Sequence, residues 1–181
     1  MAHDTQGRNK TDRNVAGGMR DARDTRISTA FGSTFAEFDW SYVVDLLPVS
    51  NSWGWTDEGL RKHLPLAFAE IEALQQGRIY FVWVREFSAT AWRHPHILLG
   101  GISRLVPDDI RKLFRSFGFT ARVDLWDRAR ESGYAFKTFD FSSDPDWDTN
   151  VNWASRQCRN EMSLCRKHLL SRMSTFASAN H

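Results

Sequence analysis

Cysteine, long apolar runs and an excess of charge are what this sequence has little of. Only two of its 181 residues are cysteine. Cys158 and Cys165 stand seven positions apart, two turns along one face of a helix, where they are badly placed to bond each other. A disulfide framework is therefore excluded, and reduced core thiols in a cytosolic protein are expected. No apolar run approaches the ~20 residues that cross a bilayer, and no apolar signal core opens the chain, so a soluble protein without a membrane partner is expected. Lys and Arg number 24 against 22 Asp and Glu, a net charge of +2. Nucleic-acid binding, if present, has to come from a local patch and not from the whole surface. No internal repeat is visible.

Aromatic residues are plentiful. Thirteen Phe and eight Trp within 41% hydrophobic residues are ample for one full core, and the length fits one domain better than two. Residues 1–34 are polar, mixed in charge and poor in large apolar groups, so they cannot bury enough to order themselves and form a solvated tail.

From Phe35 the composition changes. Tyr42-Val43-Val44-Asp45-Leu46-Leu47 reads as a strand closed by Pro48. Thr56 or Asp57 caps a helix with Leu60, Leu64, Ala67, Phe68, Ile71 and Leu74 at helical spacing and Gly77 just past its end; Pro65 bends or breaks it. Strands at Ile79 to Arg85 and His94 to Gly101 follow. Pro107, with Asp108 and Asp109 in the first turn, opens a helix that stops at Gly118. Phe119 to Leu125 alternates as a half-buried strand, and Ala129 to Phe139 reads as a short helix carrying Tyr134 and Lys137. A polar linker leads to a last helix, residues 150–175, with Trp153, Cys158, Met162, Cys165, Leu169 and Leu170 on one face, packing on the domain. Two successive strands with no helix between them imply an antiparallel pair. The fold class is therefore α+β, a central antiparallel sheet with helices packed on it.

Within this order, the stretch from Ile79 to Gly101 carries the chemistry. Residues two apart on a strand project from one face, so His94 and His96 direct two imidazoles at one spot. Glu86, leaving the preceding strand, is placed to add the hard anionic ligand that Mg2+ or Mn2+ requires.

The chain resembles the replication initiators of the HUH endonuclease superfamily, the rolling-circle Rep proteins. The matching pieces are Phe38-Asp39-Trp40-Ser41-Tyr42-Val43-Val44, the strand ending Val84-Arg85-Glu86, the run His94-Pro95-His96-Ile97-Leu98-Leu99, and Tyr134-Ala135-Phe136-Lys137. Coverage runs from about Phe38 to Phe141. Each motif is common by chance; their order, spacing and strand or helix setting carry the likeness. In place of the family's Thr-Leu-Thr-like strand stands Asp45-Leu46-Leu47. Between the histidines stands Pro95, which confines its position to an edge, a strand start or a bulge.

The resemblance implies a ferredoxin-like, HUH-type Rep endonuclease domain over residues 35–142. Tyr134 is the implied nucleophile and Lys137 its helper. His94, His96 and Glu86 are the implied ligands of Mn2+ or Mg2+, and Arg85, Trp92, Arg93 and Lys137 the implied DNA contacts. It implies single-stranded or hairpin origin DNA as substrate, a host helicase as partner, and the cytoplasm, or a host nucleus for a viral protein, as location. A transposase or relaxase of the same superfamily shares this chemistry; a non-catalytic single-strand-binding module on the same layers is the contrasting class.

Overall fold

The structure is a computed structural model that describes residues 33–47, 57–85, 94–127, 147–152 and 155–179. One helical turn, residues 33–36, leads to β1 (Tyr42–Leu47), α1 (Asp57–Gln75), β2 (Tyr80–Arg85), β3 (Pro95–Gly100), α2 (Pro107–Ser116), β4 (Thr120–Leu125), β5 (Trp147–Thr149) and α3 (Arg156–Ala179). The strands form one sheet in the order β4-β1-β3-β2-β5. Every pairing is antiparallel, so the α+β class expected from sequence is the class observed. The expected helix around Tyr134 and the polar linker lie outside the described residues.

Strand alternation divides the core in two. Tyr42, Val44, Leu46, Trp83, Ile97, Leu99 and Val123 face α1 and α2, where Leu64, Phe68, Ile71, Ile110 and Phe114 close over them. Val43, Val82, Val84 and Leu98 face the other way, toward Phe35, Phe38, Trp40, Trp126 and the α3 residues Cys158 and Met162. β4 keeps the alternation that its sequence announces, with Val123 buried and Arg122 and Asp124 exposed.

The helix ends follow local chemistry, with one surprise. Val106 has no side-chain acceptor, and instead the Asp109 carboxylate accepts the Val106 N–H at 3.0 Å while Pro107 occupies the first turn. Past α2, Gly118 takes a φ of +83°, and the Phe119 N–H returns to the Phe114 carbonyl at 2.9 Å, a Schellman closure. At the end of α1 the left-handed residue is Gln76, φ 56°, and not Gly77. Pro65 lies on the exposed side of α1 without ending it.

α3 begins later than 150–175 predicts, because Trp147–Thr149 adds an edge strand to β2. Asn150 is not a helix start. Its side-chain oxygen accepts the Phe81 N–H at 2.8 Å and its amide donates to the Ile79 carbonyl at 2.9 Å, imitating one more residue of strand. Of the expected apolar face of α3, Cys158, Met162 and Leu169 are buried, whereas Leu170 is exposed. Gly100 lies directly under the helix: a Cβ there would stand 2.2 Å from Cε of Met162, the flexible end of that side chain. Arg166 anchors the helix by donating to the carbonyls of Trp40, Ser41 and Trp126.

Tyr42 ties the sheet to the loop before α2, its hydroxyl donating to the Leu105 carbonyl at 2.9 Å. Burial, helped by the charge of Asp109, pushes this phenol well above its ordinary value. The native state thus keeps Tyr42 neutral while the unfolded chain ionises near pH 10. Its contribution to stability is complete below about pH 10 and falls as pH rises beyond it, by up to about 1.4 kcal/mol per pH unit. Urea denaturation of the Tyr42→Phe variant between pH 8 and 11 should show a loss of about 1–2 kcal/mol at pH 8 that narrows steadily above pH 10. A gap independent of pH would refute this account.

Candidate functional site

β3 is the central strand, and its first residues carry the two candidate histidines. Pro95 begins it, which removes no hydrogen bond from the middle of the sheet. His96 stands directly across from Asp45 on β1 and from Val84 on β2, and Asp45 stands across from Arg122 on β4. Cross-strand partners share a face, so Arg122, Asp45, His96 and Val84 form one row on the α3 side of the sheet. α3 meets β3 at Gly100, four residues along the strand, or about 13 Å at strand rise.

His94 and His96 lie together, ring centroids 4.6 Å apart and inclined at 61°. His96 is almost fully enclosed, with a side-chain exposure of 3%, and its Nδ1 is 2.6 Å from Asp45 Oδ1, a carboxylate 19% exposed. Burial alone would raise the Asp45 carboxyl. The hydrogen bond with His96 and the nearby charges of His96, His94 and Arg122 outweigh it and hold the group below the ordinary carboxylate range. Arg122 itself bonds Asp124 at 2.7 Å in the open.

The other residues singled out by sequence fall elsewhere. Arg85 is buried at 7% exposure and, one position past Val84, projects from the opposite face of β2. It is not brought together with the histidines. Glu86, Trp92, Arg93, Tyr134 and Lys137 lie outside the described residues. Among the described residues, no group of three or more His, Cys, Asp or Glu side chains is arranged to hold a metal ion, since Asp45 addresses the Nδ1 side of His96 and does not converge with both rings.

Asp45 is the residue that sequence reasoning misses as part of a site. A signal was present: it is the one charge in an otherwise apolar strand, and a carboxylate taken into a sheet requires a hydrogen-bonding partner. His63, by contrast, packs edgewise against Phe119 at 6.5 Å. A groove of about 480 Å³ between α1 and α2, lined by Glu70, Leu74, Leu105 and Asp109 among others, opens on the face away from the histidines.

No family model, curated protein or solved structure matches the chain. Among the described residues no helix is long and apolar enough to cross a membrane.

Proposed function

We propose that the chain is a metal-dependent DNA strand transferase of the HUH type that nicks and rejoins single-stranded DNA at an origin, starting rolling-circle replication. The observation that carries this reading is the pair of imidazoles at 4.6 Å on the central strand, with a carboxylate behind one of them. The succession β1-α1-β2-β3-α2-β4 within the five-stranded order β4-β1-β3-β2-β5 supports it further, because a split βαβ arrangement is what the reading expects.

In this reading His94 and His96 hold Mn2+ or Mg2+ through ring nitrogens, with Glu86 as the oxygen ligand. The bound ion supplies Lewis-acid polarisation of the scissile phosphate. The Tyr134 phenol oxygen attacks phosphorus, the bond to the 3′ oxygen breaks, and the phenol proton is lost as the 3′ oxygen gains one. The product is a 5′-phosphotyrosine ester, which conserves the bond for rejoining. Lys137, one turn further on the expected helix, steadies the phenolate. Arg93 contacts the strand's backbone and Trp92 stacks on an unpaired base. Arg85, buried on the far face, takes no part.

A labelled single-stranded hairpin oligonucleotide incubated with protein and Mn2+ tests the proposal. The expected result is a protein–DNA adduct stable to denaturant, absent from the Tyr134→Phe variant although that variant still binds the oligonucleotide. Binding without any adduct across a broad set of hairpins would favour the non-catalytic binding module, and undiminished cleavage by the variant would remove Tyr134 as the nucleophile.

A further inference from the structure

We propose that β4 is a docking edge for a second copy of this chain, the two sheets running into one another through an antiparallel β4–β4 pair with its two-fold axis at Val123. The inference is independent of the proposed function. Backbone geometry, charge pattern and one arginine carry it.

β4 ends the sheet, and among the described residues no strand pairs with its outer side. Its six residues, Thr120–Leu125, keep an unbroken register against β1 and include neither proline nor glycine, so nothing in the strand itself turns the edge away from a partner. An antiparallel strand uses alternate residues for each of its two neighbours. One step beyond the Tyr42–Leu125 pair, the Trp126 N–H donates to the Ser41 carbonyl at 3.2 Å. Trp126, Asp124, Arg122 and Thr120 therefore turn their backbone groups to β1, and Ala121, Val123 and Leu125 turn theirs outward. Arg111 of α2 bears this out, its Nη2 donating at 2.9 Å to the Val123 carbonyl that β1 leaves unused.

The side chains select both the partner and the register. Arg122 and Asp124 stand two apart on one face, 58% and 49% exposed. With Val123 laid opposite Val123 of an identical antiparallel strand, each Arg122 faces an Asp124 of the other copy. The nearest other registers that keep the outward groups in line set Arg122 against Arg122 or Asp124 against Asp124, and like charges directly opposite destabilise a pair. On the other face Ala121 meets Leu125, side chains that pack on the core while only partly buried, so each gains cover. The edge is thus complementary to itself, as a two-fold interface requires. Arg111 sets its strength. The carbonyl it holds is the one that would accept the Val123 N–H of the second copy, so the arginine competes at the axis. Its side chain is 40% exposed and ion-paired with Asp108 at 2.5 Å, and it keeps that ion pair when it yields. A single strand pair opposed in this way gives a weak, reversible dimer.

Sedimentation equilibrium of the full chain from about 1 μM to about 1 mM tests the proposal and should show reversible monomer–dimer association. Asp124→Lys, whose neighbour in β1 is Val43, sets a cation against Arg122 at both symmetric positions and should weaken the dimer at least about tenfold. Glu70→Lys, the same change of charge on the exposed side of α1, should leave it intact. Arg111→Ala, which frees the Val123 carbonyl, should dimerise about three- to tenfold more tightly. A wild-type chain that stays monomeric throughout overturns the proposal. So does a dimer as tight in Asp124→Lys as in wild type, or one weakened equally by Glu70→Lys, since the second copy would then sit elsewhere. An Arg111→Ala dimer no tighter than wild type overturns the pairing centred on Val123.

Discussion

On the proposed function, removing either imidazole should abolish cation binding and, with it, strand transfer. A cation that polarises the phosphate is worth several kcal/mol in the transition state, and about 1.4 kcal/mol is a factor of ten in rate. His94→Ala and His96→Ala are therefore each expected to lower covalent adduct formation by at least about a hundredfold at saturating oligonucleotide, and to abolish calorimetric Mn2+ binding. The two variants should differ in stability. His94 is half-buried, whereas His96 is enclosed and its removal strands the Asp45 carboxylate without a donor, so His96→Ala should also be the less stable of the pair. His168→Ala, on the exposed side of α3, serves as the control and should leave adduct yield and Mn2+ binding intact. Equal adduct formation in His94→Ala, His96→Ala and wild type would rule out this site as the seat of the chemistry.

The largest expected loss of stability away from the histidines follows from replacing Arg166. Its guanidinium donates to carbonyls of three residues, Trp40 and Ser41 before β1 and Trp126 after β4. Burial lowers its pKa, while Asp39 and Asp127 act in the opposite direction. Methionine keeps much of the length and removes every donor. The Ser41 carbonyl keeps the Trp126 N–H, so two carbonyls, those of Trp40 and Trp126, lose their donor; at about 1–3 kcal/mol for each, and with water reaching some of the site, Arg166→Met should be destabilised by roughly 2–4 kcal/mol. That is a large share of the 5–15 kcal/mol typical of a domain. Urea denaturation at pH 7 measures it, and a drop below about 1 kcal/mol would show that the Arg166 hydrogen bonds contribute little to holding α3. Lysine at this position, with one cationic nitrogen in place of a fork, should recover only part of the loss.

The strands that alternate are legible in the sequence because burial on one face writes itself directly into every second residue. Thr120 to Leu125 is the plain case, with Val123 inside and Arg122 outside. Gly118, at the end of α2, is legible for the same local reason: few residues other than glycine tolerate its φ. Gln76 escapes notice because its left-handed turn is imposed on an ordinary residue where glycine stands one place later. β5 escapes because three residues are too few to show a period, and because Asn150 continues the strand with its side chain. For the candidate site, the spacing of His94 and His96 already places both rings on one face. The role of Asp45 is not readable in the same way. Its partner lies fifty-one positions away, and a lone acid in a strand does not disclose which strand will be laid beside it.

The strand order has a consequence for biosynthesis. β1 is made before every other strand among the described residues, yet Tyr42 finds its neighbours at Leu99 and Leu125. At translation rates of about 5–20 residues per second, the newly made segment Tyr42–Leu47 waits on the order of ten seconds for the edge that will cover it. Throughout that interval a nearly all-apolar hexapeptide is presented to the crowded space outside the ribosome. Chaperone engagement in the cell, or aggregation in its absence, should therefore begin with nascent β1 and end when β4 has emerged.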